Sequence, residues 1–106
     1  MVEIVWAEPA IADLEAVADV IALQDPAAAA AFVQRVLSHV AQLARHPESG
    51  TRIPEMPDSR HRQLVEPPCR VFYRYDGSRV LVVHVMRSER LLKRRRLGTA
   101  RVKPRR

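Results

Sequence analysis

The residues of this chain best equipped for chemistry are arginines. Arg60, Arg62, Arg70, Arg74, Arg87 and Arg90 fall on or beside segments that read as strands, with Tyr73, Tyr75, His61 and His84 among them. A group of guanidiniums held on a sheet can grip phosphates and offset charge in a phosphorane-like transition state. His61, placed near it, could exchange a proton close to neutral pH. The competing reading is a solvated, charged sheet face that keeps a small domain in solution. Other chemistries have weaker support. His39, His46, His61, His84 and Cys69 are scattered, and no two fall at the spacing of a paired metal ligand. Ser88 and Cys69 lack the flanking residues of a catalytic nucleophile. With three glycines in all, there is no glycine-rich phosphate loop. No metal and no cofactor is expected. Tyr73 and Tyr75 read as core or partner contacts, and His84, inside an apolar strand, as a hydrogen-bonded core histidine.

The charge distribution points the same way as the arginines. The chain has 106 residues and a formal net charge of +6. Residues 1–50 carry a net −5 and residues 51–106 a net +11, and sixteen of the eighteen basic residues are arginine. Arginine favours planar, bidentate contact with phosphate or carboxylate over diffuse attraction. The asymmetry raises the expectation of a polyanionic partner without choosing among RNA, DNA and an acidic protein segment. The run Lys93-Arg94-Arg95-Arg96 reads equally well as a polyanion contact or as a solvated helix end.

These side chains need a scaffold, and the length suffices for one domain with one modest core. Val2–Trp6 is an apolar run that predicts a first strand. Glu8-Pro9 marks a helix start, since proline in the first turn loses no hydrogen bond. Ile11, Leu14, Val17, Ala18 and Ile21 then recur at helical spacing to about residue 23. Asp25-Pro26 signals a second helix, a capping carboxylate followed by proline. Its apolar stripe is Phe32, Val33, Val36, Leu37, Val40 and Leu43, and His46-Pro47 and Gly50 end it. Only a couple of residues separate the two helices, so they should form an antiparallel hairpin.

Residues 47–59 read as a loop, and the pattern then turns to strands. Arg62–Glu66 is one, ended by Pro67-Pro68. Arg70–Tyr75 alternates, with Val71, Tyr73 and Tyr75 on one face and Arg70, Phe72 and Arg74 on the other. Asp76-Gly77 predicts a hairpin with a type I′ turn. Arg79–Met86 is apolar on both faces and reads as an interior strand. Ser88–Arg96 reads as a short last helix, and residues 98–106 as a basic tail beyond a domain of residues 1–97. The expected fold class is α+β, in the order β-α-α-β-β-β, with a helical hairpin on one face of a mostly antiparallel sheet. No apolar run is long enough to span a bilayer. The N-terminus does not read as a secretory signal, and Cys69 has no internal partner, so the expected compartment is the cytoplasm.

Taken in order, these residues resemble the RelE/ParE superfamily of toxins from type II toxin–antitoxin systems. The resemblance lies in Trp6 followed by the Ala-x-x-Asp-Leu helix of Ala10, Asp13 and Leu14. It continues in the Leu-x-x-x-Pro-x-x-Gly ending of Leu43, Pro47 and Gly50. Arg70, Val71 and Tyr73 match an Arg-[apolar]-x-Tyr strand, and the last strand runs into Arg87-Ser88-Glu89-Arg90. The match covers roughly residues 2–96. It implies a cognate antitoxin as partner, whose C-terminal segment wraps the toxin. It also implies one of two activities. RelE-like members cut mRNA on the ribosome, and of their basic set only Arg70 is matched here. His61 and Gln63 stand where two lysines occur, Ser88 where an arginine occurs, and Arg94 where a tyrosine occurs. For a nuclease, Arg70, His61, Arg87 and Arg90 would carry the chemistry. ParE-like members bind and inhibit DNA gyrase. The Met-Arg-Ser-Glu-Arg-Leu-Leu ending resembles ParE-like plasmid-stabilisation proteins more closely. The resemblance therefore implies growth inhibition by binding gyrase, with Arg60, Arg62, Arg70, Arg74, Arg87, Arg90 and Arg94 as the contacts to target or antitoxin. An mRNA endoribonuclease and a nontoxic binding module are the alternatives.

Overall fold

The fold is that of a computed structural model, in which residues 1–90 and 92 are described. Strand β1 (Glu3–Trp6) leads into helix α1 (Glu8–Ala22) and helix α2 (Pro26–Ala41), which ends in a 3₁₀ turn over Gln42–Ala44. Four strands follow: β2 (Thr51–Arg52), β3 (Arg62–Glu66), β4 (Cys69–Tyr75) and β5 (Arg79–Arg87). They form one sheet in the order β1-β5-β4-β3-β2. β1 runs parallel to β5, and every other pairing is antiparallel. The α+β class and the β-α-α-β-β-β order expected from sequence are present. One short strand, β2, has been added inside the segment read as a loop.

Local chemistry accounts for the helices. Asp25 caps α2 by accepting a 3.0 Å hydrogen bond from the Ala28 N–H, and Pro26 begins the first turn. The hairpin buries Ala10 and Leu14 of α1 and Ala29, Phe32, Val36 and Val40 of α2. All of these but Ala29 meet Val71, Tyr73, Val80, Val82 and Val85 from the sheet in the main core. Ile11, at 44% exposure, lies on the shoulder of its helix and outside that core.

The opposite sheet face is covered as well. Ala7, Ile53, Met56, Phe72, Leu81, Val83, Met86 and Leu92 form a second apolar cluster there. The loop after β2 lies over this face because Ile53 and Met56, 0% and 5% exposed, are its anchors. Alternation along β4 holds as read: Val71 and Tyr73 face the helices and Phe72 faces the second cluster. Between Phe72 and Tyr73 the register slips by one residue, since Phe72 pairs with His84 and Tyr73 with Val82. This bulge shifts the alternation along β5, so that Val80 and Val82 before it and Val85 after it all reach the main core.

Two local expectations need correction. Among the described residues only Gly77 has positive φ, at 96°, so Asp76-Gly77 is not the centre of a type I′ turn. The Asp76 N–H bonds to the Arg79 carbonyl, which puts Gly77 and Ser78 at the centre. Glycine at the first central position is what a type II′ turn needs. The Asp76 carboxylate sits outside as a brace, accepting from the Ser78 and Arg79 N–H groups and the Ser78 hydroxyl. The last helix does not begin at Ser88. Residues 88–90 form a turn, with the Arg90 N–H on the Arg87 carbonyl at 3.1 Å. The rest of that expected helix, apart from Leu92, and the tail at 98–106 lie outside the described residues.

Candidate functional site

The arginines that the sequence groups together are divided by the fold. β4 carries Arg70 into the interior, where it is 7% exposed. Its two terminal nitrogens donate to both oxygens of Glu55 at 2.8 Å. One also donates to Gln63 Oε1 at 3.1 Å and the other to the Arg90 carbonyl at 2.6 Å. The guanidinium stacks on Phe72, 5.0 Å from the ring centroid. Glu55 in turn accepts from the Leu92 N–H. The bonds from Arg70 outweigh desolvation and pull the Glu55 carboxyl from 4.5 to about 2. Arg70 thus faces inward, tying the loop after β2 to the segment after β5, whereas the sequence reading placed it on a displayed sheet face. Nothing in the spacing of Glu55, Gln63 and Arg70 announces this network, because the loop that brings Glu55 over the sheet is set by tertiary packing.

The other described arginines of that group lie outside the core. Arg87 is 42% exposed in its side chain and pairs with Glu89 at 3.0 Å. Arg90 is exposed beyond it, and Arg74 is partly buried. Arg60 is exposed, and Arg62 donates to the Gly50 carbonyl at 2.9 Å. Arg94 lies outside the described residues.

The histidines and tyrosines are structural in their contacts. His61 is 6% exposed, with Nδ1 3.1 Å from Ser59 Oγ, which also accepts from the His61 N–H. His84 is 7% exposed and meets Asp13 Oδ2 through Nδ1 at 2.8 Å. The same oxygen accepts from the Val85 N–H, so Asp13 fastens α1 to β5 beside the bulge. The Asp13 position is visible in the helix motif, but its role needs the fold. Tyr73 is fully buried and its hydroxyl accepts from the Gly50 N–H at 2.9 Å. Burial pushes its pKa up. Cys69 is buried too, and desolvation raises its thiol pKa. Among the described residues no group of three metal-ligating side chains comes together, and no helix is long and apolar enough to cross a membrane.

Two concave surfaces remain near the arginines. A groove of about 440 Å³ runs between α1 and the end of β5. Val17, Val20, Val85 and Met86 supply its apolar lining, with Asp13, Arg87 and Arg90 as its charges. Val20 is 59% exposed there and Leu23, one turn on, 85% exposed. A more enclosed cleft of about 400 Å³ lies at the other sheet edge. Glu48, Arg52, Asp58, Ser59, Arg60, Arg62 and Tyr75 line it. The first surface offers an apolar strip with cations beside it, and the second offers directed N–H donors. Neither presents an assembled acid–base pair.

Comparison with known proteins agrees with this architecture. A search of curated proteins gives no match. Among solved structures, the chromosomal ParDE toxin–antitoxin system from P. aeruginosa is similar, with a TM-score of 0.68 and 25% sequence identity. The likeness covers 84% of this chain and 98% of that one. The family model for the ParE toxin of the type II toxin–antitoxin system parDE matches residues 4–92. That span takes in the helical hairpin, all of the sheet but Glu3, and Leu92, the last residue of the second apolar cluster, and on it the chain belongs to the ParE toxin family.

Proposed function

We propose that this ParE-family chain inhibits growth by binding DNA gyrase, without chemistry of its own, and that a cognate antitoxin neutralises it by occupying the groove between α1 and β5. The observation that carries the reading is the placement of Arg70 and His61. RNA cleavage by this scaffold would draw on both, yet both are nine-tenths buried and engaged with protein partners. Both terminal nitrogens of Arg70 are committed to internal bonds, and its remaining donor, Nε–H, is buried, so the guanidinium cannot reach a phosphorane without breaking those bonds. What the surface offers instead suits protein recognition. An apolar floor from Val17, Val20, Val85 and Met86, flanked by Arg87 and Arg90, fits an amphipathic segment with an acidic margin. An antitoxin partner is in keeping with the ParDE neighbour.

A supercoiling assay with purified gyrase and toxin tests the target. Inhibition that a synthetic antitoxin segment relieves is the expected result. Full supercoiling activity at large toxin excess refutes the gyrase reading. Transcripts cut within translated codons after brief induction would assign the mRNA endoribonuclease instead, and normal growth on induction a nontoxic binding module. For the groove, Arg87→Ala with Arg90→Ala should weaken antitoxin binding and its salt dependence while leaving the melting temperature nearly unchanged, because Arg90 is exposed and Arg87 pairs with the exposed Glu89.

A further inference from the structure

The cleft at the β2–β3 edge has an electrostatic peculiarity. Arg52 and Arg62 are directly opposite each other in the antiparallel register, so their side chains share one face. Like charges in that position repel and destabilise a sheet, and here they sit at its short edge strand. Among the described residues neither has a carboxylate within 4 Å to relieve the repulsion. Both are instead held by backbone carbonyls. Arg62 donates to the Gly50 carbonyl at 2.9 Å, and Arg52 to those of Pro57 and Ser59 at 3.3 and 3.5 Å. Carbonyls fix a guanidinium in place without cancelling its charge. In each case the bonds use a single terminal nitrogen, which leaves further N–H donors on a positioned fork. Arg60 supplies a third, exposed guanidinium from the adjoining loop.

From this we infer that the Arg52–Arg60–Arg62 cleft is a binding site for a phosphate group, carried by a nucleotide or by a nucleic-acid backbone. A phosphate offers enough oxygens to bridge two forks at once and so converts the cross-strand repulsion into attraction, which a single carboxylate does less well. The cleft is also closed enough to direct an anion, with about 400 Å³ of space. Glu48 and Asp58 line it too, which leaves a net of one positive charge among its five ionised groups. Binding there depends on aimed donors more than on bulk field, and this favours a discrete phosphate over a diffuse acidic surface. The inference stands apart from the gyrase reading, since either can fail alone.

Amide chemical-shift titration of the full chain tests it, using inorganic phosphate, a short oligothymidylate and a polyglutamate peptide as probes. Saturable shifts confined to residues 50–62 and Tyr75, reached at lower concentration with the oligonucleotide than with phosphate, are the expected result and assign a nucleic-acid backbone. Equal response to free phosphate and oligonucleotide assigns an isolated phosphate, as on a nucleotide. Arg60→Gln, which removes no internal bond, and Arg62→Gln should each weaken the response about tenfold. Because Arg60 touches nothing that holds the fold together, its variant keeps the test decisive if Arg62→Gln proves unstable. No saturable shift with either phosphate probe overturns the inference, as does tighter binding of polyglutamate at these residues, which would make the cleft a protein-docking site.

Discussion

Replacing Arg70 with alanine should cost the domain about 3–5 kcal/mol, the range for stripping one partner from a buried ion pair. The side chains of Arg70 and Glu55 are 8% and 18% exposed. Without the guanidinium, Glu55 keeps only backbone N–H donors, that of Leu92 among them, while Gln63 Oε1 and the Arg90 carbonyl each lose a donor. The pH dependence gives a second measure. A carboxyl held at about 2 instead of 4.5 stores roughly 3 kcal/mol near neutral pH, and the water that still reaches Glu55 trims this to about 2 kcal/mol. The larger figure exceeds the smaller because it also counts the bonds to Gln63 and Arg90. The sign follows from the direction of the shift. A folded-state pKa below the unfolded one contributes stability that is complete above about 4.5 and is lost as pH falls through about 2. Wild-type protein should therefore weaken between about pH 5 and pH 2 through this group. In Arg70→Ala the desolvation of Glu55 is opposed only by its backbone N–H donors, so most of this acid dependence should disappear. Urea unfolding followed by the fluorescence of Trp6, the single tryptophan, which packs against the main core, reads this directly. A loss under about 1 kcal/mol with an unchanged pH slope would mean that the pair behaves as a solvated surface contact, and the interior role assigned to Arg70 would be wrong.

Three further outcomes follow from the packing. Gly50→Ala should destabilise by about 2–4 kcal/mol in the same urea assay, since a Cβ there would lie 2.6 Å from the Tyr73 ring and 2.8 Å from the Gln63 carbonyl; wild-type stability would mean the loop moves freely. Asp25→Ala should cost about 1 kcal/mol, the worth of the cap on Ala28, and Asp25→Asn should restore most of it. Cys69, fully buried with a raised thiol pKa, should resist alkylation in native buffer and react promptly in denaturant. Fast native labelling would show that the start of β4 opens.

Much of the architecture was legible in local pattern. The Glu8-Pro9 and Asp25-Pro26 signals place both helix starts correctly, because a cap and a proline act within one turn. Alternation in Arg70–Tyr75 assigns Val71 and Tyr73 to the helix side and Phe72 to the other. His84 was legible as a bonded core histidine from its apolar neighbours, though its partner, Asp13, is 71 residues away. The centre of the β4–β5 turn was missed by one position because Asp-Gly reads alike whether aspartate is a central residue or the flanking brace. β2 is two residues long and exists only through its pairing with β3.

The candidate site was less legible. Arginines in a strand look the same whether they face a ligand or a buried carboxylate. What the amino-acid sequence determines here is the α+β scaffold, the acidic-then-basic division of charge and the toxin family, all of which rest on local periodicity and ordered motifs. The tertiary structure alone decides that Arg70 is an interior strut while Arg52, Arg60 and Arg62 share an open cleft. The physical reason is that the free energy of a charge depends on its desolvation and its partners. Those partners, Glu55 for Arg70 and backbone carbonyls for Arg52 and Arg62, arrive only when the loops on either side of β2 fold against the sheet.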